Sequence, residues 1–399
     1  MDSTGHFARA LGIAGILGAA LTTQRAQGQD ASPQPAAEVP AAADNSAPAP
    51  PAPAAPPAEQ PAAPAPPPQP EIDVGVWLRA GARVQGSDNP KALNDVAMDT
   101  VFGELNASGK VHDQVTLTLN LAANGLAGSV GILDAIVAVD FAEPLHLWAG
   151  QFLVPVDRAN FAGPFFMLPW NYPGLYTVGA AVVPATPHAG PYGRNAGAVL
   201  WGEAAEGKVH YYGGVFAPNV GDSPLYSARV SFAPIGAEHG YYASSTYSGA
   251  QNIIAIDVGL QYQKDGSAPP PGAGAPPGTT DNYTEINAGV FGEYKLTGTS
   301  YLTGEAAYYH FAGDYEPVKD NFYLLAAYTT DRIGIGQIQP LLRYQMGSRE
   351  GFTVSAIDVF VNYLIAGPAL RLMFGFQHTD LDAGVVGNAL QLGVQGMLF

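Results

Sequence analysis

The residues of this chain that could do chemistry are its charged and imidazole side chains, and their spacing matches no familiar catalytic pattern. Eight histidines (His6, His112, His146, His188, His210, His239, His310 and His378) are scattered singly along the sequence. None forms the i, i+4 pair on a helix that turns two ring nitrogens toward one zinc ion, and no HExxH occurs. The chain has no cysteine, so thiolate nucleophiles, thiolate ligands and disulfides are excluded. No serine stands in the GxSxG setting of a hydrolase elbow. What remains is a set of arginines (Arg79, Arg83, Arg194, Arg229, Arg343, Arg371) and acids (Asp73, Glu104, Asp134, Asp140, Asp257, Glu285, Glu293, Glu305, Asp358). Most occur one at a time inside alternating apolar stretches. Charges placed that way line a water-filled passage, where rings of carboxylates favour cations and rings of bases favour anions. The expectation is therefore no enzyme, no catalytic residue, no cofactor and no metal site.

The elements that must position these charges are strands. From Ile72 to Phe399 the periodicity is two. Sixteen candidate strands of roughly membrane-crossing length lie near 72–86, 100–109, 112–122, 131–141, 144–153, 195–203, 208–217, 225–233, 251–263, 283–294, 299–311, 321–330, 337–347, 353–364, 368–378 and 388–399. In the first, Ile72, Val74, Val76, Leu78, Ala80 and Val84 face one way, while Asp73, Trp77, Arg79, Arg83 and Gln85 face the other. In the ninth, Ile254, Ile256, Val258 and Leu260 oppose Asp257, Gln261 and Gln263. Apolar residues outside and polar residues inside make the pattern of a barrel with a wet lumen. Connections alternate in length: Gly109–Val111, Ala142–Pro144, Ala204–Gly207, Lys295–Gly298 and Ala366–Gly367 are tight, while Gly86–Asp99, Pro155–Arg194, Lys264–Asp281 and Thr379–Gly387 are longer. Pro234–Ala250 is a long connection on the tight side.

Pro155–Arg194 is the connection around which the rest is arranged. It is too rich in Pro, Gly and aromatics for regular structure and too apolar to float in solvent, so it needs a concavity to lie in. The fold class expected is all-β: a sixteen-stranded antiparallel transmembrane β-barrel whose third outer loop folds inward. Phe161, Phe165, Phe166, Trp170 and Tyr172 are expected to anchor that loop against the wall. Asp157 and Arg158 are expected at its constriction. Trp77, Trp148 and Trp201, with many tyrosines, are expected in the interfacial girdles. In the last strand Leu390, Leu392 and Val394 share one parity, while Met397 and the terminal Phe399 share the other; a bulge near Gly396 would reconcile them.

Composition sets the outer limits. A net charge of −17 and a pI near 4.6 argue against a nucleic-acid partner, which needs a basic footprint. Residues 1–28 read as a secretory signal, with Arg9 ahead of the apolar run Leu11–Leu21 and small residues Ala26 and Gly28 before Gln29. Residues 29–70 are low-complexity Ala/Pro, an extended arm on the periplasmic side that cannot build a core. The barrel then occupies 71–399.

Three segments carry a resemblance to a known family. They are LWAGQFLVPV (Leu147–Val156), HYYGGVFAPN (His210–Asn219) followed by ARVSFAP (Ala228–Pro234), and HGYYASSTYSG with AIDVGLQYQ (within His239–Gln263). In this order they make the chain resemble the phosphate-selective porin O and P family, over roughly 72–399. The resemblance implies a trimeric porin in the outer membrane of a Gram-negative bacterium, with a constricting third loop. Phosphate-binding members resemble one another in using an arginine ladder and constriction lysines. Here Pro155–Gly174 holds one cation, Arg158, and no lysine. The expected pore-lining set is Asp157, Arg158, Arg79, Arg83, Arg194, Arg229, Arg343, Arg371, Glu104, Asp257, Glu285 and Glu293; over all the inferred lumen positions, where the nine acids named at the outset stand against six arginines, the balance is mixed to acidic. That reads as passive diffusion of small hydrophilic solutes or ions. The alternatives are a structural anchor whose Pro/Ala arm contacts the cell wall, and an anion-specific channel. The expected partners are outer-membrane lipid, two further copies of the chain, and the solutes themselves.

Overall fold

The computed structural model describes residues 72–87, 95–177, 180–184, 193–218, 220–269, 274–316, 318–381 and 385–399. The expected signal segment and Pro/Ala arm lie outside the described residues. The chain enters the sheet at β1 (Ile72–Ser87) and continues through β2 (Asp95–His112), β3 (Val115–Asn124), β4 (Ser129–Ala142) and β5 (Leu145–Leu153). A long connection follows, holding α1 (Arg158–Phe166) and a hairpin of β6 (Gly174–Thr177) and β7 (Ala180–Pro184). The wall resumes with β8 (Arg194–Ala204), β9 (Val209–Phe216), β10 (Leu225–Ile235), β11 (Ile253–Ser267) and β12 (Asp281–Lys295). It ends with β13 (Tyr301–Ala312), β14 (Asp320–Thr329), β15 (Gln337–Arg349), β16 (Phe352–Leu364), β17 (Leu370–Leu381) and β18 (Val385–Leu398).

All strands except β6 and β7 form one closed antiparallel barrel of sixteen, in which β1 pairs with β18 from Val76↔Leu398 to Ser87↔Gly387. These are the sixteen stretches that the alternation marked, with shifted ends; β2, for example, begins at Asp95. Closure pairs every strand on both sides and leaves no open edge, a requirement for backbone in hydrocarbon.

The two faces differ as the period-two pattern demands. Along β11 Ile254, Ile256, Val258 and Leu260 are 40–52% exposed, while Ala255, Asp257 and Gln261 are at most 2% exposed. Such a continuous apolar band would be untenable in water and is what a barrel presents to lipid. Outward-facing tyrosines sit toward both rims. Tyr226, Tyr262 and Tyr308 lie toward the long-loop end, and Tyr211, Tyr294 and Tyr328 toward the tight-turn end. Their rings suit the interface between headgroup and hydrocarbon.

Two expectations fail here. Trp77, Trp148 and Trp201 are not girdle residues: they point inward, Trp77 against Phe165 and Phe166, Trp148 and Trp201 against Tyr241. Their parity follows Arg79, Phe152 and Val199, all buried, so the strand pleat sends them to the interior. Nor is there a bulge at Gly396. The β1–β18 register runs unbroken, Met397 faces inward beside Trp77, and Phe399 stands past the strand end with its ring 5.9 Å from Trp77.

Candidate functional site: the barrel interior

The first inserted segment leaves the wall after Leu153. Val154 donates its N–H to Gly193 O, tying the start of the long connection to its end. The backbone then runs so close to β11 that a Cβ on Gly259 would fall 2.0 Å from Val156 O; only glycine permits that approach. Ser227 Oγ donates to Pro155 O at 2.6 Å. Asp157 caps α1 by accepting from Asn160 N at 3.1 Å, and also accepts from Tyr309 Oη at 2.6 Å. Burial pushes the Asp157 carboxyl up to about 6, against the pull of these two donors. The helix breaks at Gly163 (φ 59°), ahead of Pro164, and Met167 N closes it on Gly163 O.

Beyond the break the chain presents carbonyls, and the wall answers with donors. Arg371 donates to Met167 O at 2.7 Å, Leu168 O at 3.1 Å and Pro164 O at 3.3 Å. Gln395 reaches Phe165 O at 2.8 Å and Asn362 reaches Leu168 O at 2.9 Å. Arg79 donates to Trp170 O while its guanidinium lies 3.8 Å from the Trp170 ring centroid. Arg343 donates to Asn171 O at 2.8 Å and to Asp358 at 2.7 Å. The loop aromatics pack as wall anchors: Phe165 on Trp77 and Phe102, and Phe161 on Tyr212 and Tyr241.

The second inserted segment was not foreseen. It is the long connection on the tight-turn side, between Ile235 and Ile253, and it turns into the interior. Tyr241, Ala243 and Ser245 are at most 5% exposed. Tyr241 donates to Leu153 O at 2.8 Å. Glu293 on β12 receives Gly249 N at 2.8 Å, Tyr247 N at 3.2 Å, Thr246 Oγ1 at 2.7 Å and Thr303 Oγ1 at 3.2 Å. The signal that could have found it was the run YYASSTYSG in the one long connection on a side of tight turns. Such a run has rings to bury and hydroxyls to pair.

The two segments meet at Arg158. Its guanidinium donates two parallel hydrogen bonds to Glu238, Nη1 to Oε1 at 2.9 Å and Nη2 to Oε2 at 2.7 Å, and Nη1 also donates to Ser244 O at 2.8 Å. Phe291 lies under it at 4.5 Å. Burial raises the Glu238 carboxyl, but the Arg158 charge and its hydrogen bonds, with that of Tyr247, outweigh burial and hold it down to about 2.

The expected pore-lining residues sit at inward strand positions or on the first inserted segment, and nearly all are buried against protein. Asp157, Arg158, Arg79, Arg194, Arg229, Arg343, Arg371, Glu104, Asp257, Glu285 and Glu293 are each at most 3% exposed. Only Arg83 is half-buried; it donates to Gln377 at 3.2 Å. The reason is that residues of the two segments pack against these side chains, and buried charge requires a partner. Arg194 pairs with Asp134 at 2.7 Å, and Glu285 accepts from Tyr283 and Asn287 at 2.8 Å each. Arg229 lies 3.6 Å from Asp257. The structure brings Arg158, Arg229 and Asp257 together, and leaves Glu104, Arg343 and Arg371 on other parts of the wall. Among the described residues no cluster of three His, Asp or Glu side chains could hold a metal.

No family model matches the sequence, and no curated protein matches it. Solved structures do resemble the barrel. A loop L8 deletion mutant of OmpT, an outer-membrane protein of Vibrio cholerae, superposes with a TM-score of 0.55 at 14% identity, over 82% of this chain and 99% of that one. OprB of Pseudomonas putida gives 0.54 at 9% identity, over 82% and 94%. An anion-selective porin from Comamonas acidovorans gives 0.51 at 11% identity, over 83% and 100%. At these identities the likeness establishes the fold: this chain has the closed barrel of outer-membrane porins.

Proposed function

We propose that the protein is a porin of the outer membrane of a Gram-negative bacterium, passing small hydrophilic solutes or ions by diffusion and catalysing no reaction. The observation that carries this reading is that one set of strands presents hydrocarbon-compatible residues outward and ionisable residues inward around a closed wall. An ionisable residue carried on a membrane strand is costly and is placed there for a function.

Buried interior carboxylates (Glu104, Asp134, Asp157, Glu238, Asp257, Glu285, Glu293, Glu305, Asp358) outnumber buried arginines (Arg79, Arg158, Arg194, Arg229, Arg343, Arg371). The arginines that an anion ladder would need are engaged with loop carbonyls and carboxylates, which favours cations or neutral solutes over phosphate. A homotrimer fits the likeness to OmpT, an outer-membrane protein of Vibrio cholerae solved in a trimer form. The filled interior favours a second reading, a barrel that anchors the 29–70 arm at the cell wall and conducts little.

Planar-bilayer recording in a salt gradient tests both. Stepwise channels with a cation-side reversal potential are expected. A strong anion-side potential would restore the phosphate reading, and silence at every voltage would leave the anchor.

A further inference from the structure

The geometry points to the Arg158–Glu238 pair as the latch of a gate, an inference that rests on the channel reading. Each inserted segment has its own attachment to the wall. The first is held by donors on β15 to β18, Arg371 foremost, and the second by Glu293 on β12. Arg158 to Glu238 is the ion pair that joins one segment to the other among the described residues. Both partners are at most 4% exposed, and the bond is a two-point fork, the strong geometry for a guanidinium and a carboxylate. With the latch closed, the two segments are joined to each other inside the barrel.

A second observation places the opening here. Beside the latch lies a group of buried polar atoms without hydrogen-bond partners: Arg158 Nε, Arg229 Nε and Nη2, and Asp257 Oδ2. Arg158 and Arg229 approach Asp257 only at 3.9 and 3.6 Å. Such groups are costly when dry and would be satisfied by entering water. Opening between α1 and the 238–249 segment would wet them, so hydration offsets part of the lost pair. A closed state centred on one forked ion pair, with the Ser244 contact and the Phe161–Tyr241 packing around it, next to groups that favour water, is a two-state element.

The test is single-channel recording on the full-length protein, with folding checked by heat-modifiable migration. Glu238→Gln and Arg158→Ala should each raise open occupancy by at least about tenfold, because removing one member of a buried charge pair shifts an equilibrium by more than that. The swap of Arg158→Glu with Glu238→Arg should return occupancy toward wild type. Replacing 239–248 by a Gly-Ser pair should open the channel permanently. Single variants that gate like wild type while the loop replacement conducts would overturn the latch and leave the channel reading intact. A swap as open as the single variants would also overturn it. If the replacement is silent too, the channel reading fails and the latch falls with it.

Discussion

The charged wall residues that hold the two segments inside this barrel work by opposite chemistry. The first, from Pro164 to Asn171, turns carbonyls toward the wall and is met by donors: Arg371, Gln395, Asn362, Arg79 and Arg343. The second turns the N–H groups of Tyr247 and Gly249 toward the wall and is met by an acceptor, Glu293. Irregular backbone inside a barrel has lost its water and has no ladder, so every group must find a partner. The difference teaches that a charge on an inward strand position matches the polarity of the backbone it receives. An arginine there signals a neighbouring carbonyl at least as much as a passing anion.

The comparison breaks most severely at Arg371, which serves three loop carbonyls and Gln395 Oε1. In Arg371→Ala Met167 O and Pro164 O stay buried without that donor, at about 1–3 kcal/mol each, while Leu168 O keeps Asn362. The expected loss is about 3–5 kcal/mol in the urea unfolding of the micelle-embedded protein, with the first segment loosened and conductance raised. Unchanged unfolding and conductance would show that the loop does not depend on wall donors. Glu293→Gln attacks the other side with a smaller effect. The amide keeps the shape and an acceptor oxygen at the Oε1 position for both N–H groups, but it loses the charge and puts a donor where Thr246 Oγ1 and Thr303 Oγ1 donate, so about 1.5–3 kcal/mol is expected, the worth of charge-assisted bonds. Its distinguishing sign is local: hydrogen exchange should quicken at Tyr247 and Gly249 and stay unchanged at Met167. Equal loosening of both segments would mean that they are not separately held.

The wall was legible in the sequence because its period is two and its two solvents are opposite: β11 alternates Ile, Asp, Val, Gln residue by residue, and hydrocarbon tolerates no slip. The same parity already assigned Trp77 to the side of Arg79. The girdle reading overrode it with a residue-type preference, and the pleat won. The first inserted segment was readable from Phe161, Phe165, Phe166 and Trp170, rings too many for a floating loop. The second was hidden because serines and threonines in a connection look like solvent-facing turn chemistry until Glu293 is placed beneath them. Pairings such as Arg158 with Glu238 join residues 80 apart in sequence, and no local pattern encodes them. That is why the inward residues could be named while their burial could not.

The smallest expected effect sharpens the comparison at the point where the first segment begins. Asp157 belongs to a connection rather than a strand, and its carboxyl is raised by burial from 3.8 to about 6, with Asp257 adding to the rise and Tyr309, Asn160 and Arg229 opposing it. The folded protein therefore binds this proton more tightly than the unfolded chain does. The contribution to stability is fully present below pH 3.8 or so, and is lost as pH rises through about 6. Asp157→Asn removes the titration but keeps an acceptor for Asn160 N and a polar contact for Tyr309. At pH 7 the raised carboxyl means that relief of the buried charge outweighs the loss of the charged cap, so the variant should be slightly the more stable, by about 1 kcal/mol. The readout is the slope. Between pH 4 and 6.5 the wild-type unfolding midpoint should fall with rising pH more steeply than that of the variant. Parallel curves would mean that Asp157 is ionised throughout, and that the helix cap is a wetter place than its burial indicates.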